Sequence, residues 1–222
     1  MIPRKIAQFG RRVFPHGLWE GPADRPWVAL TIDDGPHPDI TPRLLEALCR
    51  TRAPAAFFVE GDRAEAQPEL TRAIHEAGHA VGNHTWNHRA LLLGACLSPD
   101  RQVRRTEELL TRLCPGSPRI FRPPFGAIGP GGPPALSRHG LVPVYWSVLT
   151  GDWNPTSPVE VERRVLSALH PGAVVVLHGG RSWQSGTADA LEGLVEAIRA
   201  RGYEIVPLGR MLASAGLTPG HR

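Results

Sequence analysis

Two adjacent carboxylates, Asp33 and Asp34, close an apolar run that begins at Ala29, and Gly35-Pro36 follows at once. A strand carrying Val28, Leu30 and Ile32 into a core would deliver both aspartates to its C-terminal end, where the Gly-Pro pair stops regular structure. Two ionised carboxylates side by side are costly unless a cation or a proton shares them. Further ligands for a cation stand in Gly82-Asn83-His84-Thr85-Trp86-Asn87-His88, where the spacing of His84 and His88 predicts both imidazoles on one face of a helical turn. One aspartate and two histidines with an open position make the ligand set of a catalytic divalent metal, most often zinc.

The elements that must position these groups are legible from periodicity and punctuation. Trp27 to Ile32 reads as the first strand and Pro42 to Cys49 as a helix, with Thr41 as its N-cap and Pro42 at its first position. Ala55 to Val59 is the next apolar run; Pro68 to Ala77 is helical up to Gly78, and Ala80 to Gly82 is a short strand running into His84. Asp100 to Leu113 suits an amphipathic helix capped by Ser98 or Asp100, and Arg119 to Phe121 is a strand ending at Arg122-Pro123-Pro124-Phe125-Gly126. A loop from Gly129 to Pro134 leads into a short helix to Arg138 that Gly140 stops; Leu141 to Trp146 is a strand and Pro158 to Leu169 a helix. Ala173 to Leu177 is an unbroken buried strand ending at His178, followed by a helix from Thr187 to Arg201, a strand from Glu204 to Val206 and a closing helix from Leu208 to Ala215. About seven strands alternating with helices predict an α/β fold, a parallel sheet rolled into a barrel. Asp33, Asp34, His84, Arg122, Asp152 and His178 all fall at strand ends, and in such barrels the C-terminal strand ends form the reaction face.

The chain has 222 residues, 41% of them hydrophobic, which is enough for one full core, and no linker-like stretch divides it. The reading is an extension over 1–26 followed by one domain over 27–222. The net charge of +4 comes with scattered arginines and a single lysine, Lys5, a pattern that argues against nucleic-acid binding. Cys49, Cys96 and Cys114 lack C-x-x-C spacing and read as buried small side chains rather than a disulfide framework or thiolate metal site. The basic N-terminal stretch is broken before an apolar region can form, so neither a signal peptide nor a membrane span is expected, and localisation and oligomeric state stay open. His16, His37, His75, His79, His139, His170 and His221 belong to no motif, and Trp86, Tyr145, Trp146 and Trp183 read as core residues before sugar platforms.

Five separated segments, in order, resemble the motifs of the polysaccharide deacetylase family, the domain shared by chitin deacetylases, peptidoglycan N-acetylglucosamine deacetylases, some acetylxylan esterases and the nodulation chitooligosaccharide deacetylase. They are Thr31-Ile32-Asp33-Asp34-Gly35-Pro36, His84-Thr85-Trp86-Asn87-His88, Arg122-Pro123-Pro124-Phe125-Gly126, Asp152-Trp153 and Val176-Leu177-His178. The resemblance covers roughly Trp27 to Leu212. It implies a distorted (β/α) barrel, often seven-stranded, with Asp33 as general base, Asp34, His84 and His88 as metal ligands, and His178 as general acid. It further implies Arg122 holding Asp33, Asp152 holding His178, the Phe125 backbone N–H on the oxyanion, and Pro124 and Trp153 on the substrate side. Where many relatives carry an extra aspartate, three residues before the Asp-Trp pair, this chain has Leu149.

That set matches what amide hydrolysis demands: an activated water, stabilised charge on the carbonyl oxygen and a proton for the departing amine. The implied cofactor is a divalent metal, zinc first, with cobalt or nickel as alternatives, and the implied partner an acetylated carbohydrate. Removal of acetyl groups from N-acetylated aminosugar units is the leading expectation. An O-acetyl esterase of the xylan type and a catalytically silent carbohydrate-binding relative are the competing ones.

Overall fold

A computed structural model describes residues 16–92 and 98–222. Its centre is a parallel sheet of β1 (Trp27–Asp33), β2 (Ala55–Val59), β3 (Ala80–Asn83), β4 (Ile120–Phe121), β5 (Val142–Pro143), β6 (Val148–Leu149) and β7 (Ala173–His178), ordered β5-β4-β3-β2-β1-β7-β6. An eighth strand, β8 (Glu204–Ile205), pairs with the start of β1. Among the described residues no ladder joins β5 to β6, so the curled sheet is a distorted (β/α) barrel that is not closed by hydrogen bonds.

The helices are α1 (Ile40–Thr51), α2 (Gly61–Ala66), α3 (Pro68–Glu76), α4 (Pro99–Leu113), α5 (Gly132–Arg138), α6 (Pro158–Ala168), α7 (Ser185–Ala200) and α8 (Leu208–Ser214). β1 is buried on both faces, as a central parallel strand must be. Val28, Leu30 and Ile32 pack outward into the layer shared with Leu44 and Leu48 of α1 and Leu191 and Leu194 of α7. Ala29 points the other way, into a separate interior cluster with Phe58, Ile120, Val144 and Val174. By the alternation of a strand, Thr31 and Asp33 share that inward face. Leu18 belongs to the same interior cluster, and its backbone N–H donates to Pro143 O at 2.9 Å.

Several sequence expectations need correction. Helix α1 begins at Ile40, so Thr41 lies inside it, and its hydroxyl accepts from the His37 backbone N–H at 2.9 Å. The expected strand from Leu141 to Trp146 is shortened to β5, with β6 lying beyond it: past Val144 the backbone turns to Leu18, whose carbonyl accepts from the Tyr145 N–H at 2.7 Å, and Tyr145 stacks on Trp19 at 3.9 Å. α2 was not expected from the pattern. His84 to His88 is no helical turn: Thr85 and His88 have φ of 67° and 56°, in the left-handed region that β-branched residues enter at a cost. Cys114 is buried as expected, Cys49 is exposed, and Cys96 lies outside the described residues. Among the described residues no helix is long and apolar enough to cross a membrane.

Candidate metal and acid–base site

Register brings the chemistry together. Asp33 is paired with Phe58 of β2 on one side and His178 of β7 on the other. Asn83 ends β3 opposite Val59 and Phe121, so His84 and Arg122 leave their strands at the same edge of the sheet. β6 runs beside β7 with Leu149 opposite Val176, which brings Asp152 to His178 three residues later.

Asp34, His84 and His88 offer ligand atoms that all lie within 4.8 Å of one another. Asp34 Oδ1 is 3.5 Å from His84 Nε2 and 3.4 Å from His88 Nε2. It is buried and has no hydrogen-bond partner among the described residues. Ligand atoms about 2.1 Å from a tetrahedral zinc ion lie about 3.4 Å apart, so the spacing and the orphaned carboxylate oxygen fit a divalent cation. His84 Nδ1 lies 2.7 Å from Arg122 O. A carbonyl only accepts, so Nδ1 carries the hydrogen and Nε2 presents its lone pair to the Asp34 side. Burial, with His84 adding to it, pushes His88 down to about 4, which keeps that imidazole neutral and able to coordinate. Burial alone would raise the Asp34 carboxyl, but the His84 ring beside it reverses the sign and holds it well below the usual carboxylate range. Asp34 has φ of 72°, which turns its side chain away from the direction Asp33 takes.

Arg122 is 0% exposed and spends its donors inward: Nη1 to Asp33 Oδ1 at 2.8 Å and Thr31 Oγ1 at 2.6 Å, Nε to Val144 O at 3.1 Å, Nη2 to Tyr145 O at 2.8 Å. Its guanidinium carbon also sits 4.2 Å from the Phe58 ring centroid. An uncompensated buried charge costs several kcal/mol, so this net pairs the Arg122 guanidinium and fixes where Asp33 points. Asp33 Oδ2 is left 3.9 Å from His84 Nε2, facing the candidate metal position.

Across from it, His178 Nδ1 donates to Asp152 Oδ1 at 2.8 Å, while Asp152 Oδ2 accepts from the His178 backbone N–H at 2.8 Å and the Thr187 hydroxyl at 2.7 Å. Thr150 donates its hydroxyl to Asp152 as well. Burial would depress His178, but the bond to Asp152 outweighs it and lifts the imidazole to about 9. Asp33, Asp34, His84, His88 and His178 open on one cavity of about 340 Å³, walled by Phe125, Pro123, Trp146, Leu149, Trp153 and Val176. Phe125, 71% exposed, stands edge-on to His88 with ring centroids 4.7 Å apart, and Trp153 stands edge-on to His178 at 5.6 Å. Pro124, expected on the substrate side, is buried and does not line the cavity; its neighbour Pro123 does.

Sequence reasoning missed Thr31, Thr150 and Thr187, whose hydroxyls complete the two carboxylate networks. Only Thr31 gave a signal, being two positions before Asp33 on the same strand face. Trp146 lines the cavity and Trp183 is 52% exposed, so neither is the core residue expected; Trp86 and Tyr145 are buried.

Comparison with known proteins points the same way. Residues 20–144 match the family model described as polysaccharide deacetylase. A peptidoglycan-N-acetylglucosamine deacetylase of Bacillus cereus is 34% identical over 203 residues, covering 89% of this chain and 72% of that protein. A chitooligosaccharide deacetylase of Bradyrhizobium sp. is 36% identical over 196 residues, covering 83% and 90%. The crystal structure of the Bc1960 peptidoglycan N-acetylglucosamine deacetylase superposes with a TM-score of 0.84 at 32% identity, covering 90% of this chain and 95% of that one. With the matched stretch running from before β1 to the end of β5, and with relatives aligned over most of their length, the chain belongs to the polysaccharide deacetylase family.

Proposed function

We propose that this protein is a metal-dependent hydrolase that removes acetyl groups from N-acetylated aminosugar units of a polysaccharide or oligosaccharide. The observation that carries the reading is the meeting, over one cavity, of the Asp34–His84–His88 trio and the His178–Asp152 pair, with Asp33 between them. Asp34, His84 and His88 would hold the ion. A divalent ion there, zinc by the chemistry of the donors, supplies Lewis acidity that polarises a carbonyl and acidifies water toward a pKa of about 7.

The chain's own residues do the rest. Asp33, oriented by Arg122, takes a proton from the attacking water as the new C–O bond forms. The Phe125 backbone N–H donates to the carbonyl oxygen as it gains charge; losing one such donor typically costs about 3 kcal/mol. His178, with Nδ1 occupied by Asp152, gives its Nε2 proton to the nitrogen as the C–N bond breaks, releasing acetate and the free amine. Trp153 shields His178 and, with Pro123 and Phe125, borders the place of the sugar.

Acetate release tests this. The protein, stripped with a chelator and reloaded with zinc or cobalt, is offered N-acetylated chitooligosaccharides, peptidoglycan glycan strands and acetylated xylan. Acetate from an N-acetylated glycan, lost on stripping and restored on reloading, is the expected result. Acetate from xylan alone would replace the amidase by an esterase, and none from any substrate with metal bound would leave a carbohydrate-binding protein.

A further inference from the structure

A second cavity, of about 450 Å³, adjoins the one over the candidate metal position, and the two share Leu149 and Trp153 as walls. Its far side is the face of α6 that carries Glu160, Arg163 and Arg164. Arg163 donates Nε and Nη2 to the two Glu160 oxygens at 2.7 Å each. Arg164 donates Nε to Glu160 Oε1 at 2.7 Å and Nη1 to Thr150 O at 2.9 Å. Two guanidiniums share one carboxylate, which leaves one positive charge uncompensated. The other acid of this helix turn, Glu162, is turned toward Gly193 of α7. Arg163 Nη1 and Arg164 Nη2 make no hydrogen bond among the described residues. The floor is built to admit Arg164: Gly151 has φ of 74°, and a Cβ there would lie 2.9 Å from Arg164 Nη1.

A glycan is a linear ligand, and a sugar whose N-acetyl group reaches Asp34 must extend its neighbours out of the 340 Å³ cavity. The second cavity lies next to the first at Leu149 and Trp153, on the α6 side. Leu149 matters here: an acid at this position would place a negative charge on the wall common to both cavities, whereas an apolar side chain leaves the arginine charge undiminished. We propose that the second cavity is a subsite for the sugar next to the one being deacetylated, and that Arg163 and Arg164 bind a carboxylate borne by that sugar. The substrate class is then an acidic N-acetylated glycan, such as a strand whose alternate sugars carry a carboxylate, rather than a neutral homopolymer of N-acetylglucosamine. This assignment rests on the deacetylase reading.

The test compares kcat/KM on two substrates, peptide-free peptidoglycan strands and chitotetraose, for the metal-loaded full chain and three variants. Because the arginines are partly solvated, the expected effect is modest, about 1.5- to fivefold for one charge. Arg163→Gln should lower the ratio of carboxylate-bearing to neutral kcat/KM by about that factor, Arg163→Glu should lower it further, and Arg163→Lys should recover part of it. Added salt should shrink the wild-type preference. A ratio unchanged in both Arg163→Gln and Arg163→Glu overturns the subsite while leaving the deacetylase reading intact. Acetate from neither substrate removes the deacetylase reading and the subsite with it.

Discussion

Replacing Asp152 by Asn should move the alkaline limit of activity by more than two pH units. The substitution keeps the shape of a side chain whose two oxygens take the His178 Nδ1–H at 2.8 Å and the His178 backbone N–H at 2.8 Å, but removes its charge and turns one of those two acceptors into a donor. With Asp152 ionised, His178 stands near 9 rather than its ordinary 6.5; without it, burial acts with far less opposition and the imidazole falls toward 6.5 or lower. The gap corresponds to about 3 kcal/mol of differential stabilisation of the imidazolium. The sign follows from the role: a general acid must be protonated, so activity is full below its pKa and is lost as pH rises through it. At pH 8 the protonated fraction is about 90% for a pKa of 9 and about 3% for 6.5, a defect of about 30-fold from protonation alone. At pH 5.5 the same comparison leaves less than about a twofold defect. The assay is initial acetate release as kcat/KM from pH 5 to 10, with zinc content and circular dichroism measured on both proteins. A variant that folds, holds its metal and still loses activity only near pH 9 would refute the assignment of His178 as the acid set by Asp152.

Asp33→Asn should lower turnover by about 10² to 10⁴ while zinc content by elemental analysis stays at the parent level, and His88→Ala should lose the metal. If Asp33→Asn loses zinc as His88→Ala does, the two aspartates have the reverse roles. Gly180→Ala tests packing rather than chemistry, since a Cβ at Gly180 would lie 2.0 Å from the Asp34 carbonyl oxygen and must push the ligand-bearing turn. Zinc affinity should fall about 10- to 100-fold by competition with a chromogenic chelator, and an unchanged affinity would sink the claim that the turn after β7 positions Asp34.

Much of this was readable before any fold was known, and the exceptions have particular causes. Asp33, Asp34, His84, Arg122, Asp152 and His178 could be placed at strand ends because an apolar run followed by Gly or Pro marks where a strand stops. The spacing of His84 and His88 was the right signal with the wrong local structure. The two rings meet across a turn in which Thr85 and His88 take left-handed φ, held there by Asn83 Oδ1 accepting from the Thr85 N–H at 3.0 Å and Gln102 Oε1 accepting from the Trp86 N–H at 3.0 Å. No local propensity announces a strained threonine that distant groups hold in place. The early end of the Leu141–Trp146 strand was hidden for a like reason, because what Tyr145 meets is Leu18 O and the Trp19 ring, more than a hundred residues earlier.

The sequence by itself determined the alternation of strands and helices, the inventory of groups at the strand ends and the family to which they belong, because periodicity and turn chemistry are local properties. Tertiary structure decided which oxygen of which aspartate faces the histidines, which hydroxyls complete the carboxylate networks, and that Leu149 and Trp153 line two neighbouring cavities. Those outcomes depend on register between strands and on a buried guanidinium anchored to groups up to 91 residues away. They are set by packing and by the cost of leaving a buried charge unpaired, which no single stretch of chain contains.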